Sequence, residues 1–234
     1  MPQQQFDALL FDVGGIFLLP DPRVLGPLLE DHGGDPSIAA HRRAHYAGMA
    51  AKSAAGAAEQ DWRPYNDAYV RAVGVPEHEQ ELASYVLEHT RNGWTWRWPI
   101  PESVTALRSL SAADVPMGIV SNASGQIAEL LRRAGVCQEG PGEHVEVRVI
   151  VDSHVVGVAK PDPRIFDFAL GAFEGIALER IAYVGDSVMM DVGGARARGL
   201  HPILLDPHDD HVGADFQRIR ELGELLPMMG LTGN

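Results

Sequence analysis

Several residue types and segments are scarce or missing in this chain of 234 residues, and each absence excludes a class of protein. Cys137 is the only cysteine, so no internal disulfide can form, and the expected location is a reducing compartment, the cytoplasm. No apolar run is long enough to cross a bilayer and no basic segment precedes the first apolar run, so neither a membrane partner nor a signal peptide is predicted. Basic residues number 19 against 32 acidic ones, and this excess argues against a nucleic-acid partner, which requires a basic surface.

The rest of the composition is that of an ordinary globular protein, with 45% apolar and 22% charged residues. Asp7 to Phe11 is a short, nearly continuous apolar run, which indicates a strand buried on both faces of a parallel sheet. Residues 21–93 carry apolar positions at helical spacing and no convincing strand, whereas helices and strands alternate from Ser103 onward. This order predicts an α/β fold, a Rossmann-like three-layer core with a parallel sheet, interrupted after its first strand by an all-helical cap domain.

The predicted core consists of residues 1–18 and 97–234, and the predicted cap of residues 19–96. Later strands are expected at 117–120, 145–151, 181–184 and 202–205, followed by a closing helix at 216–226. Trp94, Trp96 and Trp98 alternate in the segment that returns from the insertion, and we interpret them as packing at that junction. No particular oligomeric state is predicted.

Polar residues directly follow the ends of several predicted strands. In an open parallel sheet, ligands bind just beyond the carboxyl ends of the strands, so residues at those ends converge although they are far apart in sequence. Lys160, one of only two lysines in the chain, lies in a proline-flanked loop between two of these strands. The residues that we expect to meet at one site are Asp12, Ser121, Asn122, Lys160, Asp186 and Asp191.

Three of these residues, Asp12, Asp186 and Asp191, would bring three carboxylates together. Such carboxylates repel one another unless a cation lies between them. A hard ion such as Mg²⁺ is bound by a few carboxylates, with water and substrate oxygens in the remaining positions. We therefore predict Mg²⁺ as the cofactor.

The remaining groups suit an anion. Lys160 would add a fixed positive charge, and Ser121 offers a hydroxyl. The peptide N–H groups of Asn122 and Ala123 stand at a predicted helix start, which is a ready anion site. Around the carboxylate of Asp12 these groups predict phosphoryl transfer, in which Asp12 attacks phosphorus and water hydrolyses the aspartyl-phosphate.

Four segments of the core, taken in order, form a combined pattern: Phe11-Asp12-Val13-Gly14-Gly15-Ile16-Phe17-Leu18, Ile119-Val120-Ser121-Asn122-Ala123, Lys160-Pro161-Asp162-Pro163-Arg164-Ile165-Phe166 and Tyr183-Val184-Gly185-Asp186-Ser187-Val188-Met189-Met190-Asp191-Val192-Gly193-Gly194-Ala195. Any one segment alone is a weak signal, but the ordered set spans the whole core and is very specific. By this pattern the chain resembles the haloacid dehalogenase superfamily, a large group dominated by Mg²⁺-dependent phosphatases. The inserted helices match in position the helical cap that many members place after the first strand.

The resemblance implies a hydrolase, a phosphatase that acts on a small phosphorylated metabolite through an aspartyl-phosphate. It implies catalytic roles for Asp12, the nucleophile, and for Ser121 and Lys160, which hold the transferring group. The implied substrate-binding residues are Ser121, Asn122 and Lys160. The implied metal ligands are Asp12, the carbonyl of Gly14, and, directly or through water, Asp186 and Asp191.

Gly14 departs from the superfamily's pattern, which usually has a second aspartate at this position as the general acid. Glycine can neither protonate the leaving oxygen nor activate water, and such help is typically worth about 10²–10⁴ in rate. In a phosphatase the proton would then come from water, from the substrate or from the cap. Candidates in the cap are His41, His45, Glu59 and Asp61, although each is more typical of a surface position.

Three other interpretations stay open. A carbon–halogen hydrolase needs no proton for its leaving halide, but that branch typically has tyrosine in place of Gly14 and does not rely on the metal, which Asp186 and Asp191 speak against. A carbon–phosphorus hydrolase also lacks the second aspartate and uses a cap lysine as a Schiff base. Lys52 could take that role, although a lone lysine in an alanine-rich helix usually lies on a solvated face. The last interpretation is a non-catalytic protein that retained the phosphate and metal pocket.

Overall fold

The structure is a computed structural model and describes residues 4–231. Its strands are β1 (Ala8–Phe11), β2 (Leu18–Pro20), β3 (Trp96–Pro99), β4 (Met117–Ser121), β5 (Cys137–Glu139), β6 (Val145–Val147), β7 (Ile150–Asp152), β8 (Ile181–Gly185), β9 (His201–Leu205) and β10 (Gln217–Ile219). Its α-helices are α1 (Pro22–Glu30), α2 (Ile38–Ala54), α3 (Arg63–Ala72), α4 (Gln80–Thr90), α5 (Pro101–Ala112), α6 (Ile127–Arg133), α7 (Ser153–Val156), α8 (Asp167–Leu170), α9 (Gly193–Arg198) and α10 (Leu225–Met228). A π-helical turn, Val188–Val192, precedes α9.

The central sheet has six parallel strands in the order β10-β9-β8-β1-β4-β7. β1 lies between β4 and β8, with Phe11 opposite Ile119 on one side and Val184 on the other. The three strands therefore end within two residues of one another, and the residues that follow them emerge at one edge of the sheet.

Side chains along β1 alternate between two apolar layers, as the pleat of a strand requires. Leu9 and Phe11 pack in the layer that contains α5 and α6, whereas Ala8 and Leu10 pack in the layer that contains α8 and α9. All four are fully buried. The helices thus cover both faces of the sheet, and the predicted three-layer α/β fold is confirmed.

The segment between β2 and β3 is helical and has a separate apolar core built around Tyr65 and Tyr69. β2 and β3 pair antiparallel, with Leu18 opposite Pro99, where the chain leaves and re-enters the sheet domain. We call residues 22–95, which lie between these two strands and carry α1 to α4, the helical insertion. None of the helices in residues 4–231 is long and apolar enough to cross a membrane.

Two predictions about elements are wrong. The expected closing helix at 216–226 begins as β10, which pairs with β9, and helical structure starts only at Leu222. Backbone hydrogen bonds to a strand edge satisfy this segment, and the helical spacing of its apolar residues does not prevail. The expected strand at 145–151 is two strands, of which β6 pairs with β5 and β7 with β4.

Candidate active site

The structure brings together the three carboxylates that follow the strands. Asp12 comes directly after β1, Asp186 directly after β8, and Asp191 lies in the π-helical turn. One oxygen from each lies within 4.8 Å of the others, and all three residues are buried. Burial and the neighbouring carboxylates raise the pKa of Asp12 to about 6, although Lys160 opposes them.

Lys160 lies between two of these carboxylates. Its Nζ is 2.9 Å from Asp12 Oδ1 and 2.6 Å from Asp191 Oδ1, and only 2% of the side chain is exposed. Burial disfavours the charged amine, but Asp12 and Asp191 outweigh it and hold the pKa of Lys160 above its ordinary value. Lys160 also donates to the Tyr183 hydroxyl, so its ammonium group is held by three neighbouring side chains.

Asp191 is held firmly by the backbone. Its Oδ2 accepts from the N–H groups of Asp186, at 3.1 Å, and Ser187, at 2.9 Å, while its Oδ1 accepts from Lys160. Oδ1 also lies 3.1 Å from the Tyr183 hydroxyl, so both oxygens of this carboxylate are held by hydrogen bonds. Asp191 thus orients the loop that carries Asp186 as well as adding charge to the site.

His45, from α2, reaches across to the same cluster. Its Nε2 lies 2.8 Å from Asp186 Oδ2 and its Nδ1 lies 3.0 Å from the Tyr65 hydroxyl. Burial lowers the pKa of His45 to about 3, so the ring is neutral, and these partners assign its proton to Nε2, which donates to Asp186. The expectation of a surface position for His45 is wrong.

Gly15 makes room for this contact. A Cβ at this position would collide with Asp186 Oδ2 and lie 2.6 Å from His45 Nε2, and the backbone φ of +67° itself favours glycine. The Gly15 carbonyl accepts a 2.6 Å hydrogen bond from the Tyr46 hydroxyl of α2. The helical insertion is therefore joined to the loop after β1 at two adjacent points.

A hard divalent cation fits this donor set. Asp12 Oδ1 is ion-paired with Lys160 but receives no well-aligned hydrogen bond, and the Gly14 carbonyl accepts none from any described residue. The residues that would hold such a cation are Asp12, Asp186, Asp191 and the carbonyl of Gly14. Bound there, the cation would neutralise the mutual repulsion of the carboxylates and polarise a phosphoryl oxygen.

The loop after β4 differs from the sequence prediction. α6 begins at Ile127, not at Asn122, and the Ala123 N–H donates to Ser153 Oγ, so that group is not free to bind an anion. The Asn122 side chain donates to the Lys160 carbonyl and accepts from the Lys160 N–H, which fixes the two loops together. Ser121 is buried at the end of β4 and faces the same cavity as Lys160.

Asp152 organises this loop and was missed in the sequence. Its Oδ2 accepts from the N–H groups of Gly125 and Ile127, and its Oδ1 accepts from the N–H of His154. Asp152 ends β7 as Asp12 follows β1, so the strand-end signal that identified the other residues also applied to it.

Trp96 takes the space next to Gly14. A Cβ built on Gly14 would lie 3.1 Å from Cζ3 of the Trp96 ring, closer than an ordinary van der Waals contact. The Trp96 ring in turn stands edge-on to His45, with centroids 5.2 Å apart. Trp96 therefore does more than pack at the junction: it fills the region into which a longer side chain at position 14 would project.

A cavity of about 550 Å³ opens above the carboxylates and is closed on one side by the helical insertion. Lys52 lines it and is only 3% exposed, so the interpretation of this lysine as part of a solvated helix face is wrong. Among the proton-donor candidates, Glu59 lines the cavity, whereas His41 is buried against Tyr69 and Asp61 is exposed. The insertion residues on the cavity wall include Lys52, Glu59, Trp62 and Arg91, and Trp96 of β3 lies beside them.

Comparisons with known proteins agree with this geometry. A family model described as haloacid dehalogenase-like hydrolase matches residues 6–199. Phosphoserine phosphatase from Thermus thermophilus is 32% identical over 169 residues, which are 70% of this chain and 63% of that protein. Glyceraldehyde 3-phosphate phosphatase from Methanopyrus kandleri is 27% identical over 172 residues, 68% of this chain and 70% of that protein. This chain thus spans less than two thirds of the Thermus protein's length.

A solved structure, a HAD phosphatase from Thermococcus onnurineus, superposes with a TM-score of 0.55 over 95% of this chain and 97% of that one, at 21% identity. At this identity the likeness concerns the fold alone.

Proposed function

The chain belongs to the haloacid dehalogenase-like hydrolase family, and on that premise we propose that it is a Mg²⁺-dependent phosphatase of small phosphomonoesters. The observation that carries the proposal is the convergence of Asp12, Lys160 and the Asp186–Asp191 loop at the floor of one cavity. Two relatives are phosphatases by name, and they support the same reaction class.

In the proposed reaction a carboxylate oxygen of Asp12 bonds to phosphorus while the bond from phosphorus to the ester oxygen breaks. Lys160, fixed between Asp12 and Asp191, holds a non-bridging phosphoryl oxygen and offsets its charge. Ser121 and Asn122 line the same cavity beside Lys160. Water then attacks the aspartyl-phosphate and releases inorganic phosphate, which restores the Asp12 carboxylate.

The leaving ester oxygen needs a proton that Gly14 cannot give, and we infer that Glu59 supplies it. Glu59 lines the cavity from the helical insertion, above the floor that carries Asp12. Burial raises the pKa of Glu59 against the opposing charge of Lys52, which favours the protonated form that a general acid requires. His45 is less suited because its Nε2–H is already donated to Asp186.

The test is phosphate release from a panel of small phosphomonoesters with Mg²⁺, with Asp12→Asn as the matched variant. We expect release from the wild type and none from Asp12→Asn, because the amide is not a nucleophile. If the wild type binds Mg²⁺ and phosphate but hydrolyses no ester, the non-catalytic interpretation replaces this proposal. Haloacid turnover that persists in a chelator would replace it with the carbon–halogen hydrolase.

One observation favours a second candidate, the carbon–phosphorus hydrolase. Burial lowers the pKa of Lys52, which lines the cavity, and a neutral amine can condense with a substrate carbonyl with loss of water. The carbon–phosphorus bond would then break with its electrons passing to the iminium, and the phosphoryl group would pass to Asp12. Borohydride trapping of a phosphonoaldehyde on Lys52, absent in Lys52→Arg, would support this candidate; no trapping would remove it.

A further inference from the structure

Two cations of the helical insertion line the cavity apart from the Lys160 cluster. Lys52 lies on α2, and Arg91 directly follows α4. In residues 4–231, no carboxylate oxygen lies within 4.0 Å of either cation, whereas Lys160 has two such partners. The cavity therefore has one ion-paired cation, Lys160, from the sheet domain and two cations without a carboxylate partner from the helical insertion.

The two cations are held by neutral groups. Lys52 Nζ lies 3.6 Å from the centre of the Trp62 ring and donates to the Glu59 carbonyl at 2.6 Å. The Arg91 guanidinium lies 4.3 Å from the centre of the same ring, and its Nη1 donates to Asn66 Oδ1 at 2.8 Å. Stacking on one indole and these hydrogen bonds fix both charges in place without neutralising them.

Holding two like charges beside one ring is costly. Burial lowers the pKa of Lys52 and of Arg91, and the positive charge of Arg91 lowers the pKa of Lys52 further, although Glu59 opposes this. Buried charges are normally paired, because an unpaired one loses its hydration. Glu59 and Glu88 also line the cavity, but neither comes within ion-pair distance of the two cations. An anion in the cavity would relieve this cost.

We propose that Lys52 and Arg91, stacked on Trp62, form a subsite for a second anionic group of the substrate. The inference rests on the proposed phosphatase function and narrows its substrate class. The substrate is a phosphomonoester whose phosphoryl group meets Asp12 and Lys160, while a carboxylate or second phosphate on the same small molecule meets the two cations of the insertion.

The test uses substrates that differ by a single anion. O-Phosphoserine and O-phosphoethanolamine share the ester and the amine and differ only in the carboxylate, and propane-1,3-diyl bisphosphate is paired with propyl phosphate to test a second phosphate. We expect kcat/KM to be about 10- to 100-fold higher for the member of one pair that carries the second anionic group, as for a charge-assisted hydrogen bond. The pair that shows the preference identifies the anion.

Variants of Lys52 and Arg91 test whether these residues cause the preference for the second anionic group. Arg91→Gln and Lys52→Met should each remove most of the ratio of kcat/KM between the two members of that pair, whereas Lys52→Arg should retain it. Arg71→Gln removes one positive charge from an exposed position of α3 and serves as the control. It should change kcat/KM for neither ester of the pair. Circular dichroism of each variant shows whether it is folded, and the wild-type ratio needs no variant at all.

Binding separates failure of this inference from failure of the proposed function. Calorimetric titration of Asp12→Asn with each ester of the pair, in Mg²⁺, reports the subsite without turnover. If no ester is hydrolysed but the ester with the second anionic group still binds more tightly, and loses that advantage with Arg91→Gln, the subsite stands and the phosphatase proposal falls. If esters are hydrolysed with equal kcat/KM in both pairs, the subsite is overturned and the phosphatase proposal stands.

Discussion

The Trp96 ring leaves no room for a side chain at Gly14. The Trp96 ring lies 3.1 Å from the position of a Cβ there, so the region beyond is already filled. The missing acid is therefore part of a packed arrangement, and restoring the carboxylate alone does not restore its role.

We predict that Gly14→Asp lowers the free energy of unfolding by about 1–3 kcal/mol, as overpacking does, and does not raise phosphatase activity. Urea denaturation and the ester assay measure the two effects. Gly14→Ala, whose methyl needs only a shift of a few tenths of an ångström in Trp96, should cost less. A Gly14→Asp variant of wild-type stability with faster ester hydrolysis would contradict the packing argument.

Glu59 gives a second prediction at the residue scale. In single-turnover experiments Glu59→Gln should slow hydrolysis of an alkyl phosphate by about 10²–10⁴ and leave a nitrophenyl phosphate nearly unchanged, because nitrophenolate leaves without a proton. The wild-type rate with the alkyl ester should fall as pH rises through the elevated pKa of Glu59, since the acid form is lost. Equal slowing of both esters would assign Glu59 to binding and not to proton transfer.

Among the elements, α1 is fixed to β3 through one buried carboxylate. Asp21 caps α1 by accepting from the Arg23 N–H, and its carboxylate pairs with Arg23 at 2.8 Å and with Arg97 of β3 at 2.9 Å. The hydrogen bonds from Arg23 and Arg97 lower the pKa of Asp21 to about 2. Asp21 thus holds together the start of the helical insertion, at α1, and the strand that follows its end, β3.

This pKa predicts a pH dependence. Because the pKa of Asp21 is 3.8 when unperturbed and about 2 in the fold, its contribution is present above pH 3.8 and is lost as pH falls toward 2. Asp21→Asn keeps the cap and should cost about 1 kcal/mol at pH 7, since both arginines are solvent-exposed. Urea unfolding of both proteins should show this difference shrinking between pH 4 and pH 2. A difference in the free energy of unfolding that stays the same from pH 4 to pH 2 would contradict this prediction. Asp31→Asn serves as the control.

Elements also show where sequence reasoning succeeds and fails. β1, β4 and β8 were predictable because buried parallel strands read as short apolar runs, and the carboxylates after them followed from the topology. β10 could not be predicted from the sequence, because it has only three residues at the edge of the sheet. So short a strand shows too little alternation of apolar and polar residues to outweigh the helical spacing around it. The roles of His45, Lys52 and Trp96 depend on how the insertion packs on the core, and no local pattern encodes that.

For the whole molecule, the carboxylate cluster would link the proposed binding of Mg²⁺ to stability. Asp12, Asp186 and Asp191 are buried together with a single lysine, Lys160, among them, so excess negative charge opposes folding until a cation binds. We predict that Mg²⁺ at about 100 times its Kd stabilises the chain by about 2.7 kcal/mol and raises Tm by about 5–10 °C.

Asp186→Asn sharpens this prediction. The variant should lose the Mg²⁺ response while its Tm without metal stays equal to or above that of the wild type, because one repelling charge is gone. Scanning calorimetry with and without Mg²⁺ measures both, and Asp31→Asn should respond as the wild type does. A Mg²⁺ response that survives in Asp186→Asn would place the cation elsewhere.

The missing side chain of Gly15 has a consequence for building chimeras. His45 from the insertion and Asp186 from the opposite loop meet in the space that a Cβ would fill. Three segments distant in sequence therefore pack together where a side chain at position 15 would otherwise lie. An insertion transplanted from this protein onto a related core will seat only where that core has glycine at the equivalent of position 15, so compatible donors and recipients can be chosen from that one position before any protein is made.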